Sequence, residues 1–379
     1  MQIMIRQDGQ RDCTVVLRGA RAVARGKWWA ALTAFAVLGT GAGLWVSGSW
    51  PFKESYCWGA WQAGGADGFL GDEALEKSGS ERSSEETSPP GKERPHGKCT
   101  VTVRSEVPDG DAGGSISIIE RITVRYGPVP EKAGSRRAWI DAQFAGSGTP
   151  LPDGLPGFVA GDHAMAVLPE ECDVDGRPTA VTLTPTSHGD GHLGRVEMPF
   201  SMGSYGEITQ MLLSVANTGM KSAGCAPDEP WSVSSPFVDV AEDDDSFGGN
   251  DACRIDGVDF RLRKGSQYQD QVGTVGDRLQ TCTVFWTAPR QPDETGAQFV
   301  MVSQPRLAAV FDGLPEQAGA ASALKRVECA GRPTYFYMHL ISLQPHARPD
   351  GPGVFARFEQ AVQKRIGCET GDGTDGGEA

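Results

Sequence analysis

The string His188-Gly-Asp-Gly-His192 is the spacing in this chain that comes nearest to a metal site. Two imidazoles with a carboxylate between them suit zinc or copper. The flanking glycines, however, predict a loop that would not hold those ligands in place. We therefore predict no metal site and no cofactor. The acidic run at 243–245 lacks the ligand spacing of a calcium loop, and we interpret it as part of a solvated linker.

Two arginines occupy the same place in a repeated string. Gly-Arg-Pro-Thr occurs at 176–179 and again at 331–334, so that Arg177 and Arg332 correspond. One interpretation is a turn that enters a strand, since proline is tolerated at a strand start. The other interpretation is a matched pair of anion-binding points, because guanidinium groups bind carboxylates and phosphates. Both stay open, and the two arginines are our candidate ligand contacts.

The motifs of nucleophilic and metal-assisted catalysis are missing from the sequence. The stretch at 203–206 lacks the Gly-x-Ser-x-Gly spacing that exposes a nucleophilic serine. Neither a phosphate-binding Gly-rich loop nor a His-Glu-x-x-His string is present. Trp58 and Trp61 could form a ligand platform, although packing is the commoner use of such a pair. We predict no catalytic residues and a protein that is not an enzyme.

Eight of the nine cysteines follow residue 50, and only Cys13 precedes it. An even number in each half of the chain predicts disulfides formed in an oxidising compartment. Spacing alone permits three pairings of four cysteines. We favour pairing neighbours, which keeps each bridge within half a module: Cys57–Cys99, Cys172–Cys225, Cys253–Cys282 and Cys329–Cys368.

The cysteines belong to an internal duplication. Asp-Gly-Leu-Pro at 153–156 and 312–315 precedes a cysteine and the Gly-Arg-Pro-Thr string each time. This predicts two modules, 53–225 and 251–369, joined by an acidic linker at 226–250. Residues 77–98 carry Ser, Glu, Pro and Lys without large apolar side chains, so we predict a disordered insertion there. We predict the same for the tail at 370–379.

Hydrophobic patterns predict an antiparallel sheet and one C-terminal helix in each module. β-branched runs bounded by Gly and Pro indicate strands, for example at 115–126 and 334–343. Apolar residues then recur at helical spacing at 208–215 and 354–366, and each predicted helix runs into Gly-Cys, at 224–225 and 367–368. We therefore predict an α+β fold, with two tandem disulfide-braced modules behind one N-terminal transmembrane helix.

That transmembrane helix is predicted at 28–50, where no charged residue occurs. The short tail 1–27 holds six basic and two acidic residues, which predicts a cytoplasmic N-terminus and an extracytoplasmic C-terminus at the cell membrane. A cleaved signal peptide is the alternative to this signal-anchor. The chain carries a net charge of −14, which disfavours nucleic acid as a partner. The acidity could favour cationic ligands or serve solubility alone.

Arginine outnumbers lysine 25 to 10, and Gly, Ala and Pro are abundant. In composition and layout the chain resembles single-pass, membrane-anchored exported proteins of high-GC actinobacteria. Together with the tandem modules, this predicts an extracytoplasmic binding or scaffold protein of the cell envelope. Its partner would be another envelope protein or a cell-wall component. The alternatives are an envelope hydrolase with a site between the modules, and an accessory subunit of a membrane-protein complex.

Overall fold

The structure of the protein is a computed structural model. It describes residues 55–62, 80–108, 115–161, 163–189, 203–237, 246–247, 252–258, 267–287, 294–341 and 350–368. The predicted tail 1–27, the predicted span 28–50 and the predicted C-terminal tail 370–379 lie outside these residues. The acidic run at 243–245 and His192 lie outside them as well.

The first module contains a short hairpin and a seven-stranded antiparallel sheet. The hairpin pairs β1 (Ser55–Tyr56) with β2 (Trp61–Gln62). The strands of the first sheet are β3 (Glu81–Glu86), β4 (Gly97–Pro108), β5 (Ser115–Pro128), β6 (Gly148–Pro150), β7 (Gly157–Ala160), β8 (His163–Val167) and β9 (Thr179–Gly189). Their order across the sheet is β3-β4-β5-β9-β8-β7-β6.

The second module contains another seven-stranded antiparallel sheet. Its strands are β10 (Ser246–Phe247), β11 (Gln267–Val272), β12 (Leu279–Thr287), β13 (Glu294–Val302), β14 (Gln317–Ala318), β15 (Ser322–Cys329) and β16 (Arg332–Leu340). Their order across the sheet is β10-β11-β12-β13-β16-β15-β14.

The two sheets repeat one topology. The order β3-β4-β5-β9-β8-β7 in the first sheet corresponds strand for strand to β11-β12-β13-β16-β15-β14 in the second. Cys99 of β4 and Cys282 of β12 stand on corresponding strands. The repeated Asp-Gly-Leu-Pro turn precedes β7 and β14. The sequence duplication is therefore also a duplication of strand order, to which the first module adds β6 and the second adds β10.

Among the described residues, four α-helices accompany the sheets: α1 (Ala133–Gln143), α2 (Tyr205–Ala223), α3 (Pro305–Ala308) and α4 (Gly351–Arg365). Helices α2 and α4 lie where apolar spacing predicts helices. The Ser204 and Glu207 side chains form a capping box at the start of α2. Gly224 ends this helix with a φ of 72°, which glycine adopts without a steric penalty.

Each sheet has one face covered by its own helix. In the first module α2 packs on the sheet through residues such as Leu212 and Val215, which meet Val124 and Val181. In the second module α4 packs likewise through Phe358. Burial of these faces supplies the hydrophobic stabilisation of each half.

The opposite faces of the two sheets meet in a third, shared core. It contains Phe158 and Met165 of the first sheet and Val300 and Tyr337 of the second, together with Phe311. Residues Glu54–Ala379 accordingly form one compact unit. The layers run from α2 through the first and second sheets to α4.

Two buried arginine contacts link the modules across this shared core. Arg136 on α1 donates to the carbonyl oxygen of Asp312 at 2.7 Å, and burial lowers the pKa of its guanidinium. Arg306 on α3 reaches the other way, donates to the Leu168 carbonyl and pairs with Asp173. Since α1 and α3 stand at corresponding places in the repeat, the two contacts are reciprocal.

Four disulfides brace the molecule: Cys57–Cys99, Cys172–Cys225, Cys253–Cys282 and Cys329–Cys368. These are the pairs that the spacing of the cysteines favoured. They close sequence separations of 42, 53, 29 and 39 residues, respectively. Loops of this size contribute about 2–4 kcal/mol each by restricting the unfolded chain. The second and fourth bridges fasten the residues that follow α2 and α4.

The predicted α+β class is wrong, because the described chain is mostly β-sheet with few helices. Three sheets account for most of the ordered backbone. The strands extend further than hydrophobic patterns indicate, since β4 and β5 are 12 and 14 residues long. The polar residues Arg104, Ser105 and Glu106 extend β4 by pairing with β5, and such pairing leaves no apolar pattern in the sequence.

The predicted transmembrane helix is also corrected. Among the described residues, no helix combines the length and apolarity needed to cross a lipid bilayer. The segment that we predicted to do so, 28–50, lies outside those residues. The finding counts against the predicted single-pass location at the cell membrane, and we withdraw that location.

Segments that we predicted to be disordered or solvated contain ordered structure. Residues 77–98 include strand β3, which pairs with β4 from Glu81↔Arg104 to Glu86↔Cys99. The predicted linker 226–250 begins with a segment that packs on α2 through Trp231 and Phe237. Composition missed both because their order comes from partners distant in sequence.

Candidate functional site

A groove of about 620 Å³ opens on the first module. It lies between the loop at 87–98, the adjoining ends of β4, β5 and β9, and the side of α1. Its volume is in the range of ligand-binding clefts, which are about 300–1,000 Å³. The polar and charged lining residues are Thr87, Ser88, Glu93, Arg94, His96, Lys98, Arg125 and Thr182.

The loop at 87–98 is a fixed wall of this groove. Thr87 and Lys98 hold its two ends together, with the Thr87 amide donating to the Lys98 carbonyl at 2.9 Å and the Lys98 amide donating to Thr87 Oγ1 at 2.8 Å. Gly91 and Arg94 exchange backbone hydrogen bonds at its tip. Two hydrogen bonds at the base and two at the tip give the loop a defined backbone.

Trp58 also holds this loop in place through hydrogen bonds. Its indole nitrogen donates to the Thr87 carbonyl at 3.0 Å, and its backbone amide donates to the Glu86 carboxylate at 3.0 Å. A Cβ added at Gly97 would come within 2.6 Å of the Trp58 ring, so only glycine fits there. Of the two predicted uses of Trp58 and Trp61, the structure shows packing, since Trp61 is buried in the core.

Cationic side chains dominate the groove. Arg94, Lys98 and Arg125 are exposed, and none of them forms an ion pair within the part of the chain that is described. Glu93 is the carboxylate of the lining. This local excess of positive charge is opposite in sign to the net charge of the whole chain, which is −14. Unpaired cations around a cleft attract and orient anions.

Trp139 supplies the apolar wall. It lies on α1, packs partly against the shared core and presents the rest of its ring to the groove. Pro95, Pro128 and Pro130 also line the cleft. Aromatic and proline surfaces beside charged groups suit a ligand that has both a ring or apolar body and an anionic group.

The corresponding position in the second module carries no such site. In the backbone register, Lys98 of β4 lies opposite Arg125 of β5. The corresponding residues of the second module are Thr281 of β12 and Val300 of β13, which also lie opposite each other. Those two residues are buried at 3 % and 0 % exposure. The shared core covers this part of the second sheet, so the duplication produced one exposed groove.

A partly buried polar cluster joins the modules at α1. The Tyr337 hydroxyl donates to Asp141 Oδ1 at 2.6 Å, and His339 Nδ1 lies 2.9 Å from Asp141 Oδ2. Ser322 stands opposite His339 in the register of β15 and β16. These are the residue types of a serine hydrolase, but the Ser322 hydroxyl is buried and closed to a substrate carbonyl. We interpret the cluster as a fastening of α1 to the second sheet.

A second cleft, of about 650 Å³, separates α2 from residues 231–237, which we call the strap. The Asn217 side chain holds Trp231 by two hydrogen bonds, at 2.8 and 2.9 Å. Asp153 holds the other end through Ser234 and Ser235. These bonds lower the pKa of Asp153 to about 2, chiefly through the Ser234 amide.

The predicted ligand contacts have structural partners. Arg177 donates to the Val129 carbonyl at 3.1 Å and lies 3.7 Å from Asp175. Arg332 donates to Asp277 at 3.1 Å. Arg177 lies in a turn of the first module and Arg332 begins β16 of the second, and neither lines the groove. Each guanidinium group has a partner within its own module, and their role as ligand contacts stays a prediction.

The predicted metal candidates His188 and His192 have side chains outside the part of the chain that the structure describes. His188 belongs to the end of β9, and His192 lies beyond it. In the described chain, Cys253, Asp270 and Cys282 form a cluster of ligand types. Both sulfurs are bonded to each other, and Asp270 accepts from the Cys253 amide at 2.6 Å. A disulfide offers no thiolate to a metal.

Sequence reasoning missed the groove residues. A signal was present, since Lys92, Arg94, His96 and Lys98 form a basic stretch in an acidic chain. The composition of that stretch predicts disorder. Trp139 lies on α1, a helix that the sequence patterns do not predict. Comparison of the chain with protein-family models, curated proteins and solved structures gave no match. Function must therefore be argued from these contacts.

Proposed function

We propose that the protein is a non-catalytic binding protein that takes an anionic ligand in the groove of its first module. The observation that carries the proposal is a set of three exposed cations beside Trp139, namely Arg94, Lys98 and Arg125, none of which has an ion-pair partner among the described residues. Guanidinium groups bind carboxylate and phosphate oxygens through paired hydrogen bonds, and Lys98 adds a point charge.

The lining favours binding over bond chemistry. Ser88, His96 and Glu93 are the groups that could act as nucleophile or base, and within the described chain no hydrogen bond joins any two of their side chains. A nucleophile needs a base in hydrogen-bond reach. The space between the two sheets, where a hydrolase site was the alternative, is filled by the shared core.

The test is calorimetric titration of the protein with three probes: inorganic phosphate, sulfate and glucuronate. Replacing Arg125 by Glu or Arg94 by Glu should weaken the binding of each anion at least about tenfold, since each change removes an attractive charge and adds a repulsive one. Glucuronate alone among the probes has a ring that can stack on Trp139. Its binding should therefore weaken further than that of phosphate in Trp139→Ala.

Arg357→Glu is the matched control. Arg357 is exposed on α4, which covers the far side of the second sheet, and the substitution changes the net charge by the same amount. It should leave the affinities within about twofold of the unaltered protein, because screening removes long-range effects. Equal losses in Arg125→Glu and Arg357→Glu, or no binding of any probe, would overturn the proposal.

A further inference from the structure

The cationic groove does not end at its rim, and its surroundings indicate the form of the ligand. We propose that the ligand is an extended polyanion, whose chain runs from the groove along β4, β5 and β9, on the part of the sheet face opposite α2 that the shared core leaves exposed. This inference rests on the proposed function and adds the substrate class to it: a polymer with an anionic group in every repeat, rather than a single small anion.

Strand alternation defines this face, which lies opposite α2. On β5 the side chains of Ile122 and Val124 are buried against α2, whereas Arg121 and Arg125 are exposed on the opposite side and Thr123 is half-buried there. Neighbouring side chains on a strand point to opposite faces, so the three polar residues form one row. The face begins at the groove, which Arg125 lines.

Threonines fill the face between the two arginines. Thr100 and Thr102 of β4 lie opposite Thr123 and Arg121 of β5, and Thr184 of β9 lies on the other side of Thr123. The Thr100 and Thr123 hydroxyl oxygens are 3.4 Å apart. Hydroxyl groups both donate and accept, so a row of them can hydrogen-bond to the oxygens of a polymer.

Charge on the face is positive in the rows that adjoin the groove. Lys98 lies directly opposite Arg125, and Arg121 follows along the same strand. Within the described chain Arg121, like Arg125, has no ion-pair partner. The edge strand β3 brings Glu85 beside Thr100, and the pair Arg104–Glu81, at 3.6 Å, neutralises the far end. The positive track therefore starts at the groove and ends near Arg121.

Strand geometry sets the spacing that the ligand must match. Residues two apart on one face are separated by about 6.6 Å, so Arg125 and Arg121 lie about 13 Å apart. A single phosphate or carboxylate contacts only one of these positions. A polymer with anionic groups every few ångströms can contact both, and each further contact is intramolecular once the first has formed.

Titrations with probes of increasing length test this proposal. We would use orthophosphate, tripolyphosphate and long-chain polyphosphate as the phosphate series, with galacturonate and its oligomers as the carboxylate series. Affinity per chain should rise at least about tenfold from the monomer to a chain that spans both arginines. The series with the larger gain identifies whether phosphate or carboxylate is the repeating group.

Arg121→Glu separates this inference from the proposed function. It should reduce long-chain affinity about tenfold and leave monomer affinity unchanged, whereas Arg125→Glu should reduce both and Arg357→Glu neither. Binding of the monomer without any gain in affinity for longer chains would overturn the polyanion inference, and so would equal effects of Arg121→Glu and Arg357→Glu on long-chain affinity. Either result would leave the proposed anion-binding function intact. Absence of Arg125-dependent binding for every probe would overturn both.

Discussion

The repeated aspartates show how one motif acquires two uses at the level of single residues. Asp153 and Asp312 stand in the same Asp-Gly-Leu-Pro turn of each module. Asp153 accepts hydrogen bonds from Ser234 and Ser235 and so anchors the strap. Asp312 instead accepts from the Tyr335 hydroxyl, and its carbonyl accepts from Arg136 across the module boundary. The turn is shared, and the role of the side chain depends on what packs beside it.

The anchor at Asp153 predicts an acid-sensitive strap. Its pKa in the folded protein is about 2, below the ordinary value of 3.8, because the carboxylate accepts these hydrogen bonds. A lowered pKa contributes stability that is complete above about pH 4 and is lost as the pH falls through about 2. Trp231 fluorescence should therefore change between about pH 4 and pH 2 as the strap detaches.

Asp153→Asn should detach the strap at neutral pH and remove that transition. Asp175→Asn provides the control, since Asp175 is an exposed turn aspartate with 85 % of its side chain accessible. An acid transition of unchanged amplitude in Asp153→Asn would show that other carboxylates hold the strap.

At the level of elements, helix α1 belongs to the first module and fastens to the second. Asp141 accepts from Tyr337 on β16 at 2.6 Å, and the Asp141 carbonyl accepts from Gln298 on β13 at 3.3 Å. Burial raises the pKa of Tyr337, with the nearby Asp141 carboxylate adding to the shift. The tyrosine thus stays protonated and able to donate. This contact also fixes the helix that carries Trp139 into the groove.

Tyr337→Phe should lower the free energy of unfolding by about 1–3 kcal/mol, because it leaves a buried carboxylate oxygen without its donor. Tyr205→Phe is the matched control: within the described chain the Tyr205 hydroxyl makes no hydrogen bond, and its ring packs against Phe237. Chemical denaturation followed by circular dichroism would measure both. A loss in Tyr337→Phe no larger than in the control would rule out this fastening.

Local patterns were sufficient for some of these elements and not for others. Apolar periodicity indicated α2 and α4, and cysteine spacing favoured the four pairs that the structure contains. Strand β3 (Glu81–Glu86) has no apolar residue, and its order comes from pairing with β4. The groove could not be predicted, because the sequence does not show that Lys98 and Arg125 are exposed. At the corresponding register of the second module, Thr281 and Val300 are buried. That difference arises from packing between sheets, which neither sequence segment records.

The shared core makes the two modules one compact unit despite their duplicated origin. Phe311 of the second module packs on Phe144 of the first, with ring centroids 5.6 Å apart, and stacks on Tyr335 at 5.4 Å. If each module were separated, the faces that carry these rings would meet water. Because the two modules share a core and are linked by reciprocal arginine contacts, they should fold and unfold together.

Phe311→Ala tests this cooperativity, and it should cost about 3–5 kcal/mol through the cavity left in the shared core. Hydrogen exchange measured by mass spectrometry, with all disulfides intact, would follow strands β4 and β5 of the first module separately from β15 and β16 of the second. One cooperative unit requires protection to fall by the same factor in both pairs of strands, because both exchange through the same global opening. Protection lost in β15 and β16 alone would mean that the modules unfold independently and that the reciprocal contacts of Arg136 and Arg306 are too weak to couple them.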